Sequence, residues 1–323
     1  MRIVSLAGGI GGARFLRGLL SAAPGSEITV IGNTGDDITL YGLQVCPDLD
    51  TVMYTLGGGI DEEQGWGRSE ETHVVKEELA AYGVEPQWFG LGDRDVATHI
   101  VRTQMLKAGY PLSAVTEALC ARWRPGVRLI PMTDDRAETH VVITDERGRR
   151  AVHFQEWWVR LRASVPAEQI ILVGGDEARP APGVLQAVAD ADVVLLPPSN
   201  PVVSIGTILR VKGIREALEP KTVVGVSPIV GGAPVRGMAD ACLRAIGVET
   251  TAQAVLELYG PPLVNGWLVA EEDAGVRLDG VRVEARPLIM RDLASARDLA
   301  RAALDLAAEL AHPGAGVREG NAR

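Results

Sequence analysis

Ile3-Val4-Ser5-Leu6-Ala7-Gly8-Gly9-Ile10-Gly11-Gly12-Ala13-Arg14-Phe15-Leu16-Arg17-Gly18-Leu19-Leu20 stands near the start of the chain and decides the reading of its fold. The apolar run Ile3–Leu6 reads as a buried parallel strand. Phe15–Leu20 reads as helix. Between them lie Gly8, Gly9, Gly11 and Gly12. Small residues let a ligand approach the backbone closely, and the free N–H groups of a helix start attract anions. These four glycines and Arg14 are therefore candidate nucleotide- or phosphate-binding residues, with Arg17 adding charge nearby. The alternative is a tight turn that needs glycine only for its backbone angles. The spacing departs from the dinucleotide fingerprint, because Arg14 stands where its third glycine belongs. It also lacks the Lys-Ser/Thr ending of a P-loop.

Outward from this stretch, Glu27–Gly32 reads as a second strand, which makes the opening a βαβ unit. Asn33-Thr34-Gly35-Asp36-Asp37 follows at its carboxyl end, where open parallel sheets bind ligands. Adjacent Asp36 and Asp37 are expected to place at most one carboxylate toward a common ligand. The alternation returns later. Ile170–Val173 and Val193–Leu196 read as buried strands of the same sheet, Val223–Gly232 repeats the theme, and Gly266–Val269 and Val281–Pro287 are late strands. Ser199, Asn200 and Ser204 stand at a strand end and helix start, where they either hold a base or phosphate or cap the helix.

The fold class expected is α/β: a Rossmann-like parallel sheet with helices on both faces and an inserted, mostly helical cap. Residues 1–54 and 167–312 are assigned to the nucleotide-binding core, 55–166 to the cap, and 313–323 to a flexible tail. The 323 residues, 46% of them hydrophobic, suit such an enzyme. A formal net charge of −10 argues against nucleic-acid or anionic-membrane partners. Three scattered cysteines with no CxxC suggest neither a disulfide framework nor zinc. No apolar run spans a bilayer and the start is not a signal segment, so the expected location is cytoplasmic.

Cys46-Pro47-Asp48-Leu49-Asp50-Thr51 is the most informative polar stretch. In extended chain, residues two apart point the same way, so Asp48 and Asp50 would present two carboxylates to one Mg²⁺. The alternative is a turn in which Asp caps a helix from Thr51. Trp66, between Gly65 and Gly67, is placed to stack on a flat ligand as a lid, or else to plug a hydrophobic gap. Ser69–Tyr82 reads as a helix capped by Ser69, with Glu70 and Glu71 in its first turn. On a helix running to about Lys107, Asp95, His99 and Arg102 fall on one face. That face is either a ligand wall or a solvated stripe. Glu138–Thr144 and Ala151–Trp158 read as a hairpin.

Taken together, five stretches resemble the 2-phospho-L-lactate (phosphoenolpyruvate) transferases of coenzyme F-420 biosynthesis. They are Gly8–Arg14, Pro47–Thr51, Leu91–His99, Pro198–Pro201 and Ser227–Ile229, and the resemblance covers nearly the whole chain. Tyr54–Gly59, Thr103–Ser113 and Phe154–Arg160 look like the actinobacterial branch. The resemblance implies transfer of the phosphoenolpyruvyl group from enolpyruvyl-diphospho-5'-guanosine to 7,8-didemethyl-8-hydroxy-5-deazariboflavin (FO), giving dehydro coenzyme F-420-0 and GMP. The alternatives are the same transfer from lactyl-2-diphospho-5'-guanosine, or a noncatalytic nucleotide-binding relative. It further implies Mg²⁺, a homodimer, and Asp48 and Asp50 as the catalytic, metal-binding pair, Asp50 also touching FO. The position before Leu91 contacts FO in the family, sometimes through a basic side chain; here it is Gly90, carried over as a backbone FO contact. The cap is then the FO-binding region, with Trp66 and Asp93 as further FO-binding candidates. Arg94 joins Arg14, Ser199 and Asn200 on the phosphate side.

Overall fold

The computed structural model describes residues 1–311; the expected tail at 313–323 lies outside the described residues. Seven strands form the central sheet: β1 (Arg2–Ala7), β2 (Glu27–Gly32), β3 (Arg128–Pro131), β4 (Val193–Leu196), β5 (Val223–Val226), β6 (Gly266–Val269) and β7 (Arg282–Ala285). Their order is β3-β2-β1-β4-β5-β6-β7. Every neighbouring pair runs parallel, with Arg2 opposite Glu27 and Ile3 opposite Val193. The chain leaves β1 toward β2 on one side and returns later to β4 on the other. The crevice between these two strands is the topological switch point, where doubly wound sheets bind ligands.

Alternation along the strands explains why these runs are apolar throughout. Val4 and Leu6 of β1, with Val194 and Leu196 of β4, join one hydrophobic cluster; Ile3, Ala7, Val193 and Leu195 join another. Successive side chains point to opposite faces, so a sheet covered on both sides needs both sets apolar. On the second face pack α1 (Gly9–Ala22), α2 (Pro47–Leu56), α4 (Leu112–Trp123) and α5 (Leu293–Ala311), through residues such as Phe15, Val52, Val115 and Ala300. A further helix, α3 (Asp93–Lys107), borders α4 and reaches α2 through side chains.

Two segments lie elsewhere than the sequence suggests. Arg128–Pro131, within the stretch assigned to a cap, is the edge strand of the central sheet, pairing with β2. Ile170–Val173, read as a core strand, belongs instead to a separate antiparallel sheet made by 138–145, 148–153 and 169–173. A short apolar run carries no mark of which sheet it will join, because partner choice is a long-range event. The insertion is therefore partly β. It also contributes structure to the core.

The tightest helix contact is α1 on α5. A Cβ at Gly18 would collide with the backbone of Ala296 and Arg297. Gly18→Ala is expected to force these helices apart and to lower stability by about 1–3 kcal/mol. Urea unfolding checks this: the midpoint should fall with the slope unchanged.

Candidate active site

Gly8 extends β1 and caps α1, whose first turn therefore opens into the switch-point crevice. Three walls crowd this turn. A Cβ at Gly11 would strike the carbonyl of Pro198, one at Gly12 the hydroxyl of Ser199, and one at Gly8 the carboxylate of Asp48 and the side chain of Ser204. Ser199 accepts from the Gly8 N–H at 3.3 Å and donates to the Gly8 carbonyl at 2.8 Å. The loop after β4 is thus stitched onto the glycine loop across the sheet. Asn200 accepts from Val202 and Val203 N–H through its side-chain oxygen. Both polar residues are engaged in holding loops together.

Asp48 and Asp50 do not form the convergent pair expected from extended chain. Pro47 opens α2, so both acids lie in a helical first turn. Residues two apart on a helix point to opposite sides. Asp48 turns toward the crevice, where it accepts from Asn33 Nδ2 at 2.8 Å and from the Gly9 N–H. A carboxylate there complements the positive end of α1. Burial nevertheless pushes its pKa up to about 6, against those two hydrogen bonds.

Asp50 turns the other way and is paired with the buried guanidinium of Arg102 on α3. Arg102 Nη1 lies 3.0 Å from His99 Nδ1. Arginine only donates, so this imidazole nitrogen accepts and the ring proton sits on Nε2. Nε2 lies 3.3 Å from Asp95, which accepts from the Tyr54 hydroxyl at 2.6 Å. Burial raises Asp50, with Arg102 and His99 opposing the rise; burial also works against ionised Asp95, but His99 and Tyr54 hold its pKa below the usual value. The expected face of Asp95, His99 and Arg102 is real. It is a buried polar seam between α2 and α3, with His99 and Arg102 almost wholly covered, so it is no solvated stripe.

Asp36 and Asp37 are both buried, Asp36 beside Asn33 and Asp48, Asp37 toward Cys46, Arg102 and Asp50. Burial pushes both carboxyls well up, and the neighbouring acids push in the same direction. Among the described residues, Asp36 Oδ1, Asp37 Oδ1 and Asp50 Oδ2 have no hydrogen-bond partner. These partnerless oxygens are hard donors, which suit Mg²⁺ held by one or two carboxylates together with substrate phosphates. A closer trio, Asp50, Asp95 and His99, has ligand atoms within 4.8 Å of one another. Arg102 already bonds to two members of that trio, which disfavours a cation there.

The remaining candidates scatter. The Asp93 carboxylate accepts from Thr72 Oγ1 and from the Val74 and Val75 amides. It thereby starts the helix Val74–Ala81, and these bonds lower its pKa, that from Thr72 most. Glu71 returns the favour, accepting from the Arg94 and Asp95 amides at the start of α3. The helix expected from Ser69 is shorter than its pattern suggests because Glu71 caps a different helix. Arg94 forms an exposed pair with Glu70. Gly90 has Lys76 Nζ 3.8 Å from where its Cβ would stand. Trp66 is 48% exposed. Sequence reading missed Asn33 as the partner of Asp48. It also missed Arg236, whose guanidinium lies near Arg14; its only signal was the glycine-rich run before it.

Fold and crevice define a doubly wound α/β protein with an acidic cleft at the switch point of its sheet. Residues 3–297 match the family described as 2-phospho-L-lactate transferase CofD, and the chain belongs to that family of transferases. It is 70% identical over 319 residues to the phosphoenolpyruvate transferase of Thermobifida fusca, covering 96% of this chain and 99% of that protein. With the phosphoenolpyruvate transferase of Streptomyces coelicolor it shares 70% over 316 residues (96% and 99%), and with that of Mycolicibacterium smegmatis 58% over 324 residues (95% and 99%). A crystal structure of a UPF0052-family protein from Bacillus halodurans superposes with a TM-score of 0.59 at 18% identity, covering 94% of this chain and 99% of that one. That likeness concerns the fold alone.

Two outcomes follow from the buried charges. Arg102→Met leaves Asp50 buried without its partner and is expected to cost about 3–5 kcal/mol, read as a fall in urea midpoint. Asp48 behaves oppositely. Its folded pKa of about 6 exceeds its ordinary 3.8, so the folded chain holds the extra proton and stability falls as pH rises through that window. The shift amounts to about 3 kcal/mol above pH 6. Asp48→Asn should therefore raise the midpoint of metal-free protein at pH 7 and flatten its decline between pH 4 and 6. An unaltered pH profile would contradict this account.

Proposed function

We propose that this chain transfers a phosphoenolpyruvyl group from enolpyruvyl-diphospho-5'-guanosine to FO, giving dehydro coenzyme F-420-0 and GMP. The relatives named as phosphoenolpyruvate transferases support the group transferred. The observation that carries the site is the meeting of Asp48 with the first turn of α1 at the switch point, since it puts helix amides and buried acids in one crevice. The terminal ribityl hydroxyl of FO would attack the phosphorus bearing the three-carbon acid. One P–O bond forms, the P–O bond to GMP breaks, and the hydroxyl proton is released. Alignment and charge neutralisation dominate such a step, and no dedicated base is required.

Mg²⁺, which the family implies, fits the acidic set through Asp48 and Asp36, and when bound would neutralise the diphosphate. Asp50 is left as a positioning group clamped by Arg102. Trp66 offers its exposed face to the flat deazaflavin. A homodimer in the cytoplasm is part of the same reading.

Asp48→Asn is expected to lower turnover by orders of magnitude while the protein stays folded. Asp50→Asn is the poorer test, since it strands Arg102 and disturbs the fold as well. Product mass after incubation with FO, Mg²⁺ and each guanosine diphospho-acid in separate tubes tests the reaction itself. A dehydro product from the enolpyruvyl donor alone is expected. Product from the lactyl donor alone would keep the family reaction and overturn the donor, and no product from either would overturn the transfer.

A further inference from the structure

Ile10, Arg14 and Arg17 recur at helical spacing and share one face of α1. Residues 61–67 lie along that face. A Cβ at Gly65 would stand 3.0 Å from Ile10 Cγ2, and Glu62 binds Arg17 at 2.6 Å. Gly65 and Gly67 both adopt positive φ, at 77° and 68°, and Trp66 projects between them. Arg236 reaches the same segment from the far side of the crevice, donating from Nη2 to the Gln64 carbonyl at 2.5 Å.

Among the described residues, neither Arg14 nor Arg236 has a carboxylate within 4 Å, whereas Arg17 does. Two guanidinium groups are thus brought together with only a backbone carbonyl opposite one of them. Partial burial and the Arg14 charge both depress the pKa of Arg236, the mark of a cation lacking its counter-charge. The pair stands one helical turn from the glycine loop, where phosphates meet the amides of α1. Planar guanidinium groups bind phosphate oxygens in two-pronged fashion.

We infer that Arg236, with Arg14, binds the diphosphate of the nucleotide donor, exchanging its bond to the Gln64 carbonyl for the phosphate oxygens. The assignment rests on the transferase reading for the identity of the donor, and on the uncompensated arginine pair for its location. Engagement of the donor would then loosen one tie of the Trp66 segment, leaving the Arg17–Glu62 tie in place.

GDP serves as the probe, titrated calorimetrically, with guanosine as the phosphate-free control. Arg236→Gln is expected to weaken GDP binding about tenfold or more, the loss due to one charge-assisted hydrogen bond. It should raise KM for the donor by a similar factor and leave KM for FO and the guanosine affinity unchanged. Arg236→Lys should recover part of the GDP affinity. Arg17→Gln, which cuts the other tie of the same segment, should leave GDP affinity unchanged. Equal losses in Arg17→Gln and Arg236→Gln would overturn the assignment and make Arg236 a loop tie only. Wild-type protein that forms product while Arg236→Gln keeps full GDP affinity likewise removes the assignment and leaves the reaction standing. Wild-type protein that binds GDP through Arg236 but forms no product does the reverse.

Discussion

The crevice depends on close approach between three backbone segments that come together at the switch point. The glycine loop after β1 touches the loop after β4 through Ser199, and it touches α2 through Asp48. No side chain larger than hydrogen fits at Gly8, Gly11 or Gly12 without moving these partners. The glycines are thus needed first for packing. This packing meets the tight-turn reading of the glycine stretch. The cradle reading belongs to the proposed function, which uses the first turn of α1 facing the crevice.

Burying Asp36, Asp37 and Asp48 near that turn, and Asp50 against Arg102, costs stability, since burial favours the neutral form of each and repulsion adds to it at Asp36 and Asp37. The protein meets this in two ways. Asp50 is compensated internally by Arg102, and this pair together with the Tyr54–Asp95 hydrogen bond fastens α3 to α2. Asp36 and Asp37 each leave one oxygen without a hydrogen-bond partner among the described residues, and Asp48 has only the hydrogen bonds from Asn33 and Gly9. On the proposed reading, a metal-bearing ligand would relieve this repulsion.

Much of the architecture was legible because its signals are local. Short apolar, β-branched runs marked β1, β2, β4, β5 and β6, and the strand–glycine–helix opening marked the crevice. Resemblance across five stretches pointed to the family that the comparisons establish. The parts that were misread involve distant partners. Arg128–Pro131 joins the central sheet and Ile170–Val173 leaves it, though both are short apolar runs of the same kind. Asp93 and Glu71 look like site and helix residues respectively. Their exchange of caps appears only when two helix starts lie side by side.

The sequence by itself determined the α/β class, the position of the glycine loop after the first strand, and the common helical face of Asp95, His99 and Arg102. Each follows from periodicity or steric demand within a few residues. The helical turn opened by Pro47 sends Asp48 and Asp50 to opposite sides, but tertiary structure alone decided their surroundings, the crevice for one and Arg102 for the other. It also decided that Asn33 steadies Asp48 and that Arg236 stands beside Arg14. Those pairings join residues 15 to more than 200 positions apart. Only the closing of the sheet around its switch point brings them within reach of one another.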